Sequence, residues 1–184
     1  MKQHPTAMFT ATACGLVWQP RSLLSAIPEV TALATPENVV ANVLKRSLSV
    51  LSADTASLSL YDARSRRYRV IAVASAQAAE PLRWPPVLQE IPLDFVSTRA
   101  NATLDRTISE VLVLPEDEPE HPVASLLVAL DSTALYVALR SGDVVVGAMN
   151  VLRPAALVFT AGDRHLARSV ADQATLVITT VRVV

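Results

Sequence analysis

The stretch Leu135–Pro154, LYVALRSGDVVVGAMNVLRP, and its continuation Phe159–Val181, FTAGDRHLARSVADQATLVITTV, carry the clearest pattern in the chain. In the first, β-branched and apolar residues flank Ser141-Gly142-Asp143, a tripeptide suited to a tight turn because Gly142 accepts a positive φ. Ala134 to Arg140 and Val144 to Leu152 are therefore expected to pair as a hairpin. Gly147 lies inside the later strand, where a missing side chain marks a bulge or the close approach of another chain or ligand. In the second stretch, Thr160 and Asp163 stand at a capping-box spacing, with Asp in place of the usual Glu. Leu166, Val170, Ala174, Val177 and Val181 then form a helical stripe, widened by Ala167, Ala171 and Ile178.

Upstream, a second pattern of the same kind appears in reverse order. Thr35 is a suitable cap, Pro36 fits the first helical position and Glu37 favours the positive helix end. Val40, Val43, Leu44, Leu48 and Leu51 make one apolar face, which is expected to pack on a sheet. From Thr55 the period becomes two, with Ala56, Leu58 and Leu60 on one side and Ser57, Ser59 and Tyr61 on the other. Residues 55–75 read as a hairpin connected through Asp62–Arg67. Before these elements, residues 1–19 are expected to form a loose tail. Residues 20–184 are read as one domain, whose first helix carries Leu23, Leu24, Ile27, Val30 and Leu33 and is interrupted by Pro28.

Composition narrows the class. Of the 184 residues about half are apolar and only 4% aromatic, so a single core must be built mainly of Val, Leu, Ile and Ala. The formal net charge of −1, with arginines interspersed among acids, argues against nucleic-acid binding or a membrane-surface role. Apolar runs are too short and too often punctuated to span a bilayer, and a cytoplasmic location is expected. Cys14 is the only cysteine, which excludes an intrachain disulfide and a cysteine zinc cluster. The four glycines form no phosphate-binding fingerprint, and His4, His121 and His165 belong to no nucleophile triad, so the chain is not expected to be an enzyme.

The order helix, two strands, variable middle, two strands, helix resembles that of GAF domains over roughly residues 30–182. The residues that carry the likeness are Val144–Asn150 (VVVGAMN), Phe159–Asp163 (FTAGD) and Ala171-Asp172-Gln173-Ala174. The resemblance implies a GAF/PAS-like α+β fold, with a six-stranded antiparallel sheet flanked by N- and C-terminal helices. It also implies a ligand site between one sheet face and the middle segment, Ala76 to His121. That segment is rich in prolines around Trp84, and Leu93 to Ala100 is expected to form a short helix.

If a ligand sits there, Trp84 and Phe95 are the candidate apolar walls, Arg99 and Arg106 the candidate anion partners, and Tyr136 and Met149 the candidates from the sheet. Some relatives bind cyclic nucleotides through an Asn-Lys, Phe, Asp-Glu motif. Asn150, Phe159 and Asp163 match it, but Val151 stands for the lysine and Arg164 for the glutamate, so the Lys–Asp ion pair of that motif is missing. Haem and a bilin are not expected either, since His121 is an isolated loop imidazole and Cys14 lies far upstream. Methionine sulfoxide reduction, known among such domains, requires more thiols than this chain has.

Two functional expectations follow. One is a sensory module that binds a small molecule and signals to a protein partner through helix-mediated homodimerisation, with Ala167, Ala171 and Ile178 at the interface. The other is a ligandless dimerisation or interaction module that has filled its pocket with side chains. A cavity lined by convergent polar groups would favour the first.

Overall fold

The computed structural model describes residues 36–76, 89–105 and 107–181. All lie in the compact unit Ala34–Val184. The expected tail, the helix of residues 20–34 and the Thr35 cap fall outside the described residues.

Helix α1 (Pro36–Leu51) is followed by strands β1 (Thr55–Asp62), β2 (Arg67–Ser75) and β3 (Glu90–Pro92). A middle segment of short helices contains α2 (Thr98–Asn101), strand β4 (Glu110–Val113) and α3 (Pro122–Ala129). Strands β5 (Ser132–Ser141) and β6 (Val144–Pro154) and helix α4 (Ala161–Val181) complete the chain. The strands form one antiparallel six-stranded sheet in the order β3-β2-β1-β6-β5-β4. Both expected hairpins are present.

The two faces of the sheet have different residues because the side-chain period of a strand is two. On one face Leu58, Leu60, Leu135, Val137, Leu139, Met149 and Val151 pack with α1 and α4 into the main core. Helix α1 contributes Val40, Leu44, Leu48 and Leu51, as its stripe predicts. Truncating a fully buried leucine such as Leu44 to Ala in a core of this kind costs roughly 2–5 kcal/mol. On the other face Tyr136, Ala134 and Leu152 join a smaller cluster with Ala100, Val113 and Leu127 from the middle segment.

Two irregularities adjust the pairing. Between Leu58 and Ser59 the register on β2 skips Ile71, and between Leu139 and Arg140 the register on β6 skips Val146. Gly147 adjoins the second. A Cβ built there would lie 2.1 Å from the carbonyl oxygen of Ser59, so this glycine permits the close approach of β1. At the hairpin tip Gly142 has φ +59°, the conformation its turn requires.

Helix α4 starts with the expected reciprocal cap. Asp163 Oδ2 accepts from the Thr160 amide at 2.8 Å, and Thr160 Oγ1 accepts from the Asp163 amide at 3.2 Å. Its innermost face is formed by Ala167, Val170, Ala171, Ala174 and Ile178. The proposed contact residues Ala167, Ala171 and Ile178 are therefore core residues rather than surface residues. The small alanines let the helix approach closely, and the width of the stripe is used inside the domain. No helix among the described residues is long and apolar enough to cross a membrane.

Candidate functional site

Between the second sheet face and the middle segment lies a cavity of about 220 Å³. Its floor exists because the central strands place small side chains there, Ser59 on β1 and Ala148 on β6, which are register partners. Tyr68 on β2 and Tyr136 on β5 stand on either side of that floor, and Asn150 lies opposite Tyr136 on β6. Ile91, Phe95 and Val96 close one side from above, and Pro122, Val123 and Leu126 of α3 close the other. None of these described lining residues is charged.

One polar group of the wall, the Asn150 amide, is only partly satisfied. Asn150 Nδ2 reaches Ser57 Oγ at a long 3.5 Å, while Asn150 Oδ1 is buried without a partner. No hydrogen bond among the described residues engages the phenol of Tyr68 or of Tyr136, although both rings are buried. Burial raises the pKa of both phenols above the ordinary value, Tyr68 being raised further by the neighbouring Tyr61 and Tyr136, and Tyr136 by Glu118. Both are neutral hydrogen-bonding groups at any physiological pH.

The roof is held by side chains bonded to backbone. Ser97, fully buried, caps α2 by accepting from the Ala100 amide at 3.3 Å. This cap splits the single helix expected over Leu93–Ala100 into a 3-10 turn at Leu93–Phe95 and α2. Asn101 Nδ2 donates to the carbonyls of Leu93 and Val96 at 3.0 and 3.1 Å, fixing that turn. His121 Nδ1 accepts from the Val123 amide at 3.2 Å, and Nε2 lies 3.2 Å from the Asp94 carbonyl. The carbonyl requires the ring proton on Nε2, and the amide requires Nδ1 to be bare. His121 thus joins the Phe95 side of the roof to the start of α3.

The expected ligand contacts separate on this geometry. Tyr136 lines the cavity, and Phe95 sits at its rim with 59% of its surface exposed. Met149 is completely buried on the opposite face of the sheet, because it is one residue out of phase with Ala148 and Asn150. Arg99 is not in the wall. Its guanidinium pairs with Asp117, and its amide and that of Thr98 donate to Glu118 at 2.8 and 3.0 Å. Trp84 and Arg106 lie outside the described residues. Tyr68, Ser59 and Asn150 are polar wall residues absent from the contacts expected from the sequence. The polar face of the first strand, Ser57, Ser59 and Tyr61, was the signal that could have found Ser59.

Among the described residues no cluster of three or more His, Cys, Asp or Glu side chains could hold a metal ion. The dispersion of arginines is uneven at the β1–β2 turn: Arg64 and Arg66 in the connection and Arg67 and Arg69 at the start of β2 are exposed, and Arg67 pairs with Glu90 at 3.3 Å. A hairpin tip gathers residues that are near in sequence onto one solvated end.

The family model described as GAF domain matches residues 35–178. The chain belongs to the GAF domain family, whose members are sensory and regulatory modules. The GAF domain/HD domain protein from Geobacter sulfurreducens has the same fold, with TM-score 0.65 at 16% identity, covering 83% of this chain and 97% of that one. The GAF domain of a phosphoenolpyruvate-protein phosphotransferase from Coxiella burnetii aligns with TM-score 0.64 at 19% identity over 88% and 92% of the two chains. The phycoerythrobilin-bound GAF domain of a cyanobacterial phytochrome gives TM-score 0.66 at 11% identity over 82% and 89%. At these identities the likeness establishes the fold. Among curated proteins none matches.

Proposed function

We propose that this GAF domain is a non-catalytic sensory module that binds a small molecule between the sheet and the middle segment and passes the event to its terminal helices. The observation that carries this reading is the cavity of about 220 Å³ whose described wall is mostly apolar and carries Ser59, Tyr68, Tyr136 and Asn150 as its polar side chains. A mostly apolar cavity with a few polar groups in its wall is the usual form of a small-molecule site.

The transmission route is short. The strands that carry Ser59, Asn150 and Tyr136 on the cavity face carry Leu58, Met149 and Val137 on the helix face, against α1 and α4. A ligand that shifts these strands alters the seat of both helices, and differential affinity for two seatings is what a signal requires. A protein partner then reads the helices. Helix-mediated self-association is part of the proposal, but its surface is the exposed one: Leu176 on α4 and Val50 on α1, which are 68% and 61% exposed.

Native mass spectrometry of the protein purified from its own host tests both parts. The expected result is a dimer retaining a small molecule. An empty monomer would remove the reading in favour of the ligandless interaction module, which draws support from the cavity volume, below the ~300–1,000 Å³ of sites that enclose drug-sized ligands.

A further inference from the structure

Helix α3, PVASLLVA, carries a single polar side chain, Ser125. A helix that is apolar all round is ordinarily buried all round, because none of its faces prefers water. The burial of α3 is one-sided. Ala124 and Leu127 are buried, and Val123 and Leu126 border the cavity beneath the roof. Ser125, Val128 and Ala129, which form one stripe at helical spacing, are exposed, Val128 by 67%.

That outer stripe borders a hollow. With Ala124, and with Pro115 and Pro119 from the turn before the helix, it encloses about 330 Å³. The turn is held by its own bonds: Asp117 Oδ2 accepts from the Leu114 amide at 2.8 Å, and the Glu118 carbonyl accepts from the His121 amide at 2.9 Å. Two prolines and these bonds shape the wall in advance, which lowers the ordering cost of docking.

Charge decides what fits. Residues 107–139 contain six acids and no lysine or arginine. Asp117 is engaged by Arg99, and the Glu118 carboxylate accepts the amides of Thr98 and Arg99. Glu116 and Glu120, each next in sequence to a lining proline, are exposed, as is Asp131 just beyond α3. An apolar hollow bordered by carboxylates suits a segment that offers an apolar side chain between cations, and it repels an anionic membrane or a nucleic acid. The arginine-rich β1–β2 turn of a second copy has the charge but not the filling group, since its exposed residues 62–67 include no apolar side chain larger than Ala63.

We propose that the outer face of α3 is a docking surface for a basic, amphipathic segment of a partner protein. An apolar side chain of that segment fills the hollow beside Val128, and flanking Lys or Arg side chains meet Glu116 and Glu120. Docking here is independent of occupancy of the cavity, because hollow and cavity share no described lining residue. It weakens as ionic strength rises, since exposed carboxylates are screened by salt.

The test places photoreactive benzoylphenylalanine at Val128, and in a second variant at Ser125, of the full chain expressed in its own host, and sequences the cross-linked peptides. The expected result is one recurring segment of another protein, with Lys or Arg on both sides of an apolar residue. The cross-link should disappear when Glu116→Lys and Glu120→Lys are combined. The same segment, made as a synthetic peptide, should shift the NMR signals of residues 115–129 in the purified chain. Val128→Ser should weaken its binding about tenfold, with the melting temperature kept within a few degrees because the side chain is largely exposed. Cross-links to the Arg64–Arg69 turn of another copy would make this face an interface between copies and overturn the proposal. Cross-links within one chain, to an acidic segment or to no recurring segment overturn it too, as does peptide binding that survives the charge reversal or that Val128→Ser leaves unchanged.

Discussion

Arg153 on β6 and Asp163 in the first turn of α4 form an ion pair at 2.9 Å, with only 5% of the arginine side chain exposed. The same guanidinium donates to the carbonyls of Leu51, at the end of α1, and Val158, and it lies 4.4 Å above the Phe159 ring. Both terminal helices and the last strand are thus joined at one cation. The lysine that precedes the phenylalanine in the cyclic-nucleotide motif is absent here, yet the aspartate has a cationic partner three residues after Asn150.

The first prediction concerns this pair. The Arg153 bond, then the Thr160 amide, hold the Asp163 carboxyl well below the usual carboxylate range. A folded pKa below the unfolded one means stability that is fully present above the unfolded value of about 4 and is lost as the pH falls through the folded one. Asp163→Asn should therefore cost roughly 2–3 kcal/mol at neutral pH. Urea melts should show the difference from the natural chain closing as the pH drops below about 4. A difference that stays constant to pH 2 would contradict the assignment.

Gly147 gives a steric prediction. A methyl group at this position collides with the Ser59 carbonyl, which is backbone in a central strand and cannot rotate away. Gly147→Ala should lower stability by about 2 kcal/mol or more, read as a reduced thermal midpoint. Gly142→Ala, with nothing within 4 Å but φ +59°, should lose about 1 kcal/mol through backbone strain alone.

Arg140 organises the loop before β4. Its Nη2 donates to the Thr103 and Ile108 carbonyls at 3.3 and 2.9 Å and also to Asp105. Arg140→Ala leaves three carbonyls competing for water. Hydrogen exchange should rise locally over residues 102–110 while α1 and β1 remain protected. Protection unchanged in that loop would show that the arginine is dispensable there.

His121 provides a test of the roof. His121→Ala removes the acceptor for the Val123 amide and the link to Asp94, a loss comparable to an N-cap of about 1 kcal/mol. The expected signature is faster exchange at Val96 and Val123 together, with β5 unaffected. Independent behaviour of the two sites would mean that the histidine does not couple them.

Assembly is probed by contrasting two positions on α4. Ala171 is completely buried and Leu176 is 68% exposed. Ala171→Glu should unfold or strongly destabilise the domain, because it buries an unpaired charge. Leu176→Asp should keep the melting temperature within a few degrees and convert a dimeric mass to a monomeric one in light scattering. Retention of the dimer in Leu176→Asp would exclude this surface.

Much of the fold was legible because it rests on local rules. The alternation of Ala56, Leu58 and Leu60 with Ser57, Ser59 and Tyr61 places the first set in the main core and Ser59 of the second in the cavity wall. Thr160 and Asp163 close the cap that their spacing announces. The site was less legible, because its described residues come from five strands, the turn after β3 and α3, which no local pattern relates. Met149 shows the difficulty: next to two wall residues in sequence, it faces the other side of the sheet. Arg99 shows another, since its engagement by Asp117 is a contact across 18 positions.

The sequence by itself determined α1, the two hairpins, α4 and their order, the turn at Gly142, the cap of α4 and the family, through short-range sterics, hydrogen bonding and period. Only the tertiary structure decided how the broad stripe of α4 is used, what Asp163 pairs with and which side chains meet over Ser59 and Ala148. Those outcomes depend on which faces compete for the same buried space. Ala167, Ala171 and Ile178 could serve an interface or a core equally well on pattern, and the sheet with α1 fills that face from within the chain.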